Sequence, residues 1–316
     1  MVKLQKHTTT WCSMILGCWY TVTTLFAYEI RRFLTYCNYM EFVYRRTFGR
    51  APDYITPRTF NEKLGWMRLY DHNPLYTILA DKIAVRGYVR ERVGEEVLIP
   101  CYGVWKTAAE IPFDALPDCF VLKCNHECGF VVLCRDRANI DQRFVRAQLA
   151  TRLRMNYYYQ CREFHYRDIP RSIIAEKLLI GDHGEEPIDY KIHCFGGVPQ
   201  YIYVVKDRHR RLVYGYYSPN WELLPFSIPG YVTAEVLPRP SQLESMLEIA
   251  ISLSRGLYYC RVDLYAVQEK VYFGEMTLIS GAGLMVFYPD SYDLYWGERL
   301  ILPGNKVQPT KATRSF

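Results

Sequence analysis

Asp263 and Glu275 are the first residues whose types and spacing suggest chemistry. They lie in two alternating runs, Arg261-Val262-Asp263-Leu264-Tyr265 and Val271-Tyr272-Phe273-Gly274-Glu275-Met276-Thr277, separated by Gln268-Glu269-Lys270. That pattern predicts a β-hairpin. With a three-residue loop, Asp263 sits directly across from Glu275; with another loop length the two are diagonal neighbours, still within reach of one ion. Facing carboxylates on apolar strands repel unless a cation lies between them. Hard oxygen ligands that leave room for substrate phosphates are what Mg²⁺ uses in nucleotide sites. For the hairpin alone, an outward polar face with ordinary strand charges is the plainer reading.

Other residues carry charge to comparable places. Lys123 ends the apolar strand Phe120-Val121-Leu122 and precedes Cys124-Asn125-His126-Glu127-Cys128-Gly129. A lysine before such a loop is well placed over phosphates, with loop N–H groups as an anion nest; a snorkelling strand-end lysine is the simpler alternative. Asp189 and Lys191 share a face of one strand, as a surface ion pair or with Lys191 as a second phosphate-facing cation. Arg261 shares a face with Asp263, where it can orient that carboxylate or touch a phosphoryl group. Glu176 follows apolar Ile173-Ile174-Ala175, a place from which a carboxylate can take ribose hydroxyls. The ring-rich run Asn156 to Tyr166 suits a sugar or a base, and equally a helix end packed on a core. Cys124, His126, Cys128 and Cys134 lack the second, distant ligand pair of a zinc site.

The elements that must position these groups are legible in outline. Thr59 and Glu62 have capping-box spacing at the start of a helix. Residues 76 to 91 and 141 to 155 read as helices. Residues 241 to 255 read as a third, with Ser241 and Glu244 as its box. Leu98-Ile99-Pro100 and Tyr102-Gly103-Val104-Trp105 read as a short strand and turn, strands are expected near 120–123, 130–133 and 173–176, and a hairpin over Gly196-Gly197. The pattern is α+β, with mainly antiparallel sheets.

The chain has 316 residues, a formal charge of +6, 28 tyrosines and 11 cysteines. That length suggests two or three lobes. No Lys/Arg cluster dominates, so no nucleic-acid partner is expected, and anionic small substrates account for the charge. The cysteines form no disulfide framework, which favours a reducing compartment. Trp11 to Ala27 is mostly apolar but short for a spanning helix and carries several threonines. Residues 11 to 34 are therefore expected to form one helix lying on a membrane or on the protein body; if the segment spans instead, Arg31, Arg32, Arg45, Arg46 and Arg50 keep the body cytoplasmic.

Seven blocks occur in order: Thr59-Phe60-Asn61-Glu62-Lys63, Leu79-Ala80-Asp81-Lys82 with Val85-Arg86, Leu122-Lys123-Cys124-Asn125-His126, Asn156-Tyr157-Tyr158-Tyr159, Ile174-Ala175-Glu176, Asp189-Tyr190-Lys191 with Cys194-Phe195, and Arg261-Val262-Asp263 with Gly274-Glu275-Met276-Thr277. Together they resemble the TupA-like ATP-grasp family, named for teichuronopeptide biosynthesis, over roughly residues 42 to 303. The resemblance implies an ATP-grasp fold, two α+β lobes enclosing ATP, with an N-terminal helical extension. The expected divisions are an extension over 1–58, a helical pre-grasp region over 59–105, a first lobe over 106–172, a second lobe over 173–303 and a tail over 304–316. The resemblance also implies roles. Lys82 and Lys123 contact the triphosphate, and Glu176, Lys177 and Leu178 hold the adenosine. Lys191 and Arg261 face the transferring phosphoryl group, and Asp263 and Glu275 hold Mg²⁺. Thr277 stands where many relatives have a metal-binding asparagine. Two departures stand out. Glu127-Cys128-Gly129 replaces a usual glycine-serine-glycine, placing a negative charge beside the nucleotide, and Leu278 to Gly283 has serine and alanine where proline and aromatics are expected.

The expected function is an ATP- and Mg²⁺-dependent carboxylate–amine ligase, acting through an acyl phosphate on an acidic glycan or lipid-linked glycan precursor with an amine co-substrate. Two alternatives stay open: a glycosyltransferase of polysaccharide biosynthesis, for which no convincing Asp-x-Asp motif is present, and an inactive ATP-grasp module that binds a glycan or partner.

Overall fold

In a computed structural model the described residues are 36–181, 184–206, 213–227 and 236–303. The helix expected over 11–34 and the tail over 304–316 lie outside them. The helices are α1 (Tyr36–Phe48), α2 (Phe60–Tyr70), α3 (Leu75–Ala80), α4 (Val85–Val93), α5 (Gln142–Arg154), α6 (Tyr158–Cys161), α7 (Leu243–Ser254) and α8 (Ser291–Arg299). The strands are β1 (Cys101–Trp105), β2 (Phe120–Cys124), β3 (Val132–Cys134), β4 (Ile173–Lys177), β5 (Ile188–Phe195), β6 (Val198–Lys206), β7 (Val213–Tyr217), β8 (Tyr259–Val267) and β9 (Lys270–Thr277). The described residues fall into two units, one built from 80–86 and 99–178, the other from 36–79, 87–98 and the described residues between 179 and 303.

The first unit holds a four-stranded antiparallel sheet in the order β1-β4-β2-β3. Alternation decides its faces. Phe120, Leu122, Cys124, Ile173 and Ala175 point one way and bury against Val145 and Leu149 of α5 and Ile111 and Phe113. The opposite face carries Val121, Lys123, Ile174 and Glu176, with Val121 paired to Glu176 and Lys123 to Ile174. The division expected at residue 173 falls inside this sheet, because β4 pairs with both β1 and β2.

The second unit holds a five-stranded antiparallel sheet in the order β7-β6-β5-β8-β9. Helix α7 buries Leu243, Met246, Ala250 and Leu253, and the Cys194 thiol of β5 lies 3.9 Å from the Ala250 carbonyl. Phe195, Tyr201, Tyr216 and Tyr259, on the other side, join Phe60, Leu64 and Met67 of α2 and Trp296 of α8 in an aromatic core. Much of the tyrosine content is spent there. The β5–β6 hairpin turns at Gly196 (φ 57°) and Gly197 (φ 83°), conformations that favour glycine.

The box at Thr59 forms as expected: Thr59 accepts from the Glu62 N–H at 3.3 Å, and Glu62 accepts from the Thr59 N–H at 3.1 Å. The box at Ser241 does not form. Helix α7 starts at Leu243 without a side-chain cap, because Glu244 pairs with Arg239 instead. The single helix expected over 76–91 is interrupted between α3 and α4. There the Asp81 side chain accepts the Ile83 N–H at 2.8 Å and its carbonyl the Val85 N–H at 2.9 Å, restarting the helix and setting Lys82 in the break.

Candidate functional site

In the first unit, Lys123 and Glu176 meet as an ion pair at 2.5 Å, and Arg86 reaches the other Glu176 oxygen at 3.1 Å. Arg86 is itself fixed by the Ile99 carbonyl at 2.9 Å. A carboxylate has about four lone-pair positions, so Glu176 retains capacity for hydroxyl donors while its charge is balanced. Lys177 points outward and is exposed, whereas Leu178 is buried.

The loop after β2 is tied down from within. Asn125 donates to Asp81 at 2.8 Å and to the Pro170 carbonyl at 2.9 Å, and accepts from the Ser172 N–H at 2.7 Å. Lys82 donates its ammonium to the Glu127 carbonyl oxygen. Glu127 does not add its charge to an open loop surface. Its side chain is 2% exposed and pairs with Arg152 of α5 at 3.2 Å, and burial pushes its carboxyl up against the pull of Arg152 and Lys82. The exposed part of the loop is Cys128-Gly129, with Gly129 at φ 92°.

His126 is buried with Nε2 3.2 Å from the Met155 carbonyl, and burial lowers its pKa to about 4. An unfolded histidine titrates near 6.5. Between these values the unfolded chain binds the extra proton, so stability falls as pH drops from about 6.5 towards 4. His126→Gln should flatten that part of the stability–pH profile, measured by urea unfolding at stepped pH; an unchanged slope would contradict the assignment.

In the second unit, one sheet face carries two polar rows. Lys191, Asp263 and Glu275 are direct neighbours across β5, β8 and β9, as are His193, Arg261 and Thr277. Arg261 grips Asp263 through two bonds, at 2.6 and 2.7 Å, and reaches Glu275 at 3.1 Å. Lys191 donates to Asp263 and pairs with Asp189 at 2.7 Å. Thr277 donates to Glu275 at 3.4 Å. The Asp189–Lys191 pair is buried rather than the surface pair weighed from sequence, at 7% and 8% exposure. Burial raises the Asp263 carboxyl, with Arg261 and Lys191 pulling the other way. Burial also opposes charge on Arg261, but Asp263 and Glu275 hold its guanidinium well above the ordinary range. Burial, Arg261 and Lys191 keep the His193 imidazole far below its usual value, and hence neutral.

The direct opposition of Asp263 and Glu275 arises in an unexpected way. The turn has two residues, Gln268 and Glu269, since Val267 pairs with Lys270. That register alone would place Gly274 across from Asp263. A bulge between Asp263 and Leu264 shifts the ladder and brings Glu275 into place. A Cβ on Gly274 would lie 3.0 Å from the Asp263 carbonyl oxygen and 2.9 Å from Tyr265 Cε2. Gly274→Ala should therefore cost about 1–3 kcal/mol in urea unfolding, on the scale of overpacking. A neutral result would show that the bulge does not depend on the missing side chain.

The cation between the facing carboxylates is Arg261, so their opposition does not by itself demand a metal. The donors still suit Mg²⁺. Asp263, Glu275 and Thr277 are hard oxygen ligands, Glu275 is one-third exposed on its side chain, and Mg²⁺ commonly takes one or two carboxylates plus substrate phosphates. Among the described residues no group of three or more His, Cys, Asp or Glu side chains could hold a metal alone. Also among them, no helix is long and apolar enough to cross a membrane.

Arg86 and Arg152 stand outside the residues that the charge pattern singles out, although each fixes one of them, Glu176 and Glu127. The profile of TupA-like ATP-grasp proteins matches residues 62–301. No curated protein matches the chain in sequence. Among solved structures it is similar to the D-alanine–D-alanine ligase of Bacillus anthracis complexed with ATP, at 18% identity over 65% of this chain and 55% of that one, with a TM-score of 0.38. It is also similar to the Helicobacter pylori D-alanine–D-alanine ligase, at 13% identity over 77% and 69% with a TM-score of 0.41. The ATP-grasp ligase PsnB, complexed with a minimal precursor, shows 9% identity over 66% and 54% with a TM-score of 0.39. The chain thus spans 55% of the first of these structures and 54% of the last.

Proposed function

The chain belongs to the TupA-like ATP-grasp family, whose profile spans residues 62–301, and on that premise we propose that it is an ATP- and Mg²⁺-dependent carboxylate–amine ligase acting on an acidic glycan or a lipid-linked glycan precursor. The observation that carries the reading is the polar row Lys191–Asp263–Glu275 with Arg261 across it. It sets two oxygen donors and two cations on one buried sheet face, the groups that phosphoryl transfer to a carboxylate requires.

In this reading Lys82, Lys123 and Glu176, with Lys177 and Leu178 beside them, bind the nucleotide. Asp263 and Glu275, with Thr277, would hold Mg²⁺, which would supply charge neutralisation at the transferring phosphoryl group. Arg261 and Lys191 orient that group while the substrate carboxylate attacks its phosphorus and ADP leaves. The amine then displaces phosphate from the acyl phosphate. With its Glu127 side chain turned inward onto Arg152, the altered loop offers little support for an inactive module. Residues 11 to 34 supply peripheral contact with the cytoplasmic face of a membrane.

Hydroxylamine intercepts acyl phosphates. Incubating the protein with ATP, Mg²⁺, hydroxylamine and a glucuronate-rich oligosaccharide should yield a hydroxamate together with ADP and phosphate. ADP release without hydroxamate across a panel of acidic glycans would refute the glycan carboxylate as acceptor.

A further inference from the structure

Behind the polar row lies a buried hydrogen-bonded chain that the ligase reading does not use. His193 Nδ1 is 2.9 Å from the Tyr259 hydroxyl, and that hydroxyl donates to Ser280 Oγ at 2.5 Å. All three residues are at most 1% exposed. His193 is directly across from Arg261, and Tyr259 is two residues upstream of it on the same face of β8. Ser280 opens the turn that follows Glu275 and Thr277. That turn is unusual: Gly281, Ala282 and Gly283 all have left-handed backbone, at φ 55°, 56° and 69°. Left-handed alanine is disfavoured and persists where surrounding contacts hold it. The contacts are Arg68 on the Ala282 carbonyl at 2.5 Å, Asn61 on the Met285 backbone, and the Ser280–Tyr259 bond. The serine that breaks the expected pattern over Leu278 to Gly283 is the one that receives the tyrosine hydroxyl.

Resting on the ligase reading, we propose that Tyr259, Ser280 and His193 are positioning residues for the metal pair. They tie the strand bearing Arg261 and Asp263 to the exit of the strand bearing Glu275 and Thr277. Tyr259 fixes one end of β8 through its ring, packed against Phe60 at 5.4 Å and Phe195 at 5.7 Å. Its hydroxyl is shared between an imidazole beside Arg261 and a hydroxyl three residues beyond Thr277. His193 is clamped in turn by stacking on Tyr201 at 4.1 Å. If Tyr259 donates to Ser280, then His193 must donate its Nδ1–H to the tyrosine oxygen. The chain therefore has one direction of donation, and the neutral imidazole adds no third cation to compete for Asp263. Groups that orient metal ligands in this way typically change metal affinity or activity by about ten- to a hundredfold when removed.

The test measures AMP-PNP binding by titration calorimetry, with Mg²⁺ and with EDTA, in the full chain. Tyr259→Phe keeps the ring and removes the hydroxyl; Ser280→Ala removes its acceptor; Ser280→Thr restores one. Tyr259→Phe and Ser280→Ala should each weaken binding with Mg²⁺ by about tenfold or more. The double variant should be no weaker than either alone, Ser280→Thr should recover most of the loss, and binding in EDTA should stay within about twofold of wild type. Equal losses with and without Mg²⁺, or variants that bind like wild type at lowered melting temperature, would reduce the chain to core packing and overturn the proposal. If Tyr259→Phe does not fold, the two Ser280 variants decide it by the same criteria. If wild type binds no AMP-PNP even with Mg²⁺, the ligase reading itself falls and takes this inference with it, an outcome distinct from insensitive variants of a binding-competent protein.

Discussion

Glu275→Gln should lower ATP turnover by about 10²–10³-fold, the scale seen when one preorganised group that stabilises transition-state charge is removed, while the protein stays folded. Glu275 lies at the accessible end of the polar row, with its side chain 33% exposed, a 3.1 Å contact to Arg261 and a 3.4 Å hydrogen bond from Thr277. Losing its charge leaves the guanidinium still gripped by Asp263. Asp263→Asn should abolish turnover as well, but at a structural cost. A sequence-only view of two repelling carboxylates makes removal of either one a relief. The structure reverses that expectation, because Asp263 is the buried counterion of both Arg261 and Lys191. Removing one partner of a buried ion pair typically costs about 3–5 kcal/mol. The two variants thus separate chemistry from folding. ATP turnover near wild type in Glu275→Gln, with melting unchanged, would remove the carboxylate pair from the mechanism.

Lys123→Ala should weaken ATP binding by about ten- to a hundredfold, the equivalent of losing one or two charge-assisted hydrogen bonds to phosphate. Lys123 projects from the face of the first sheet opposite its apolar core, beside Glu176. The exposed Lys270, the first residue of β9, is the appropriate control, and Lys270→Ala should bind ATP like wild type. Arg86 retains a hold on Glu176 in the variant, so stability should fall less than ATP affinity. Affinity losses of equal size at Lys123 and Lys270 would point to net charge rather than to a site.

Much of this arrangement is written locally and some of it is not. The Thr59–Glu62 box, the Gly196-Gly197 hairpin and the strands at 120–124 and 173–177 follow from spacing, because each depends on neighbours a few residues apart. The opposition of Asp263 to Glu275 was legible as a consequence but not as a cause. It needs a two-residue turn and a bulge whose effects cancel, and a strand glycine signals a bulge only loosely. The break at Asp81 hid inside a continuous apolar period, since the capping side chain also has to meet Asn125. Arg86 and Arg152 read as ordinary helical charges; their partners lie 90 and 25 residues away. No local pattern announces such pairs. Glu127 misled for the same reason: its charge is cancelled by a helix that sequence proximity does not reveal.

The proposed reaction draws on Mg²⁺ and ATP rather than on a nucleotide sugar. Ligands that bind only the native state stabilise it by RT ln(1 + L/Kd), with L the free ligand concentration, and so raise its melting temperature. Thermal unfolding in the presence of ATP with Mg²⁺, and separately of UDP-glucose with Mg²⁺, tests it most directly. ATP with Mg²⁺ should give a clear upward shift that is lost in Lys123→Ala, and UDP-glucose none. Stabilisation by UDP-glucose and none by ATP would contradict it.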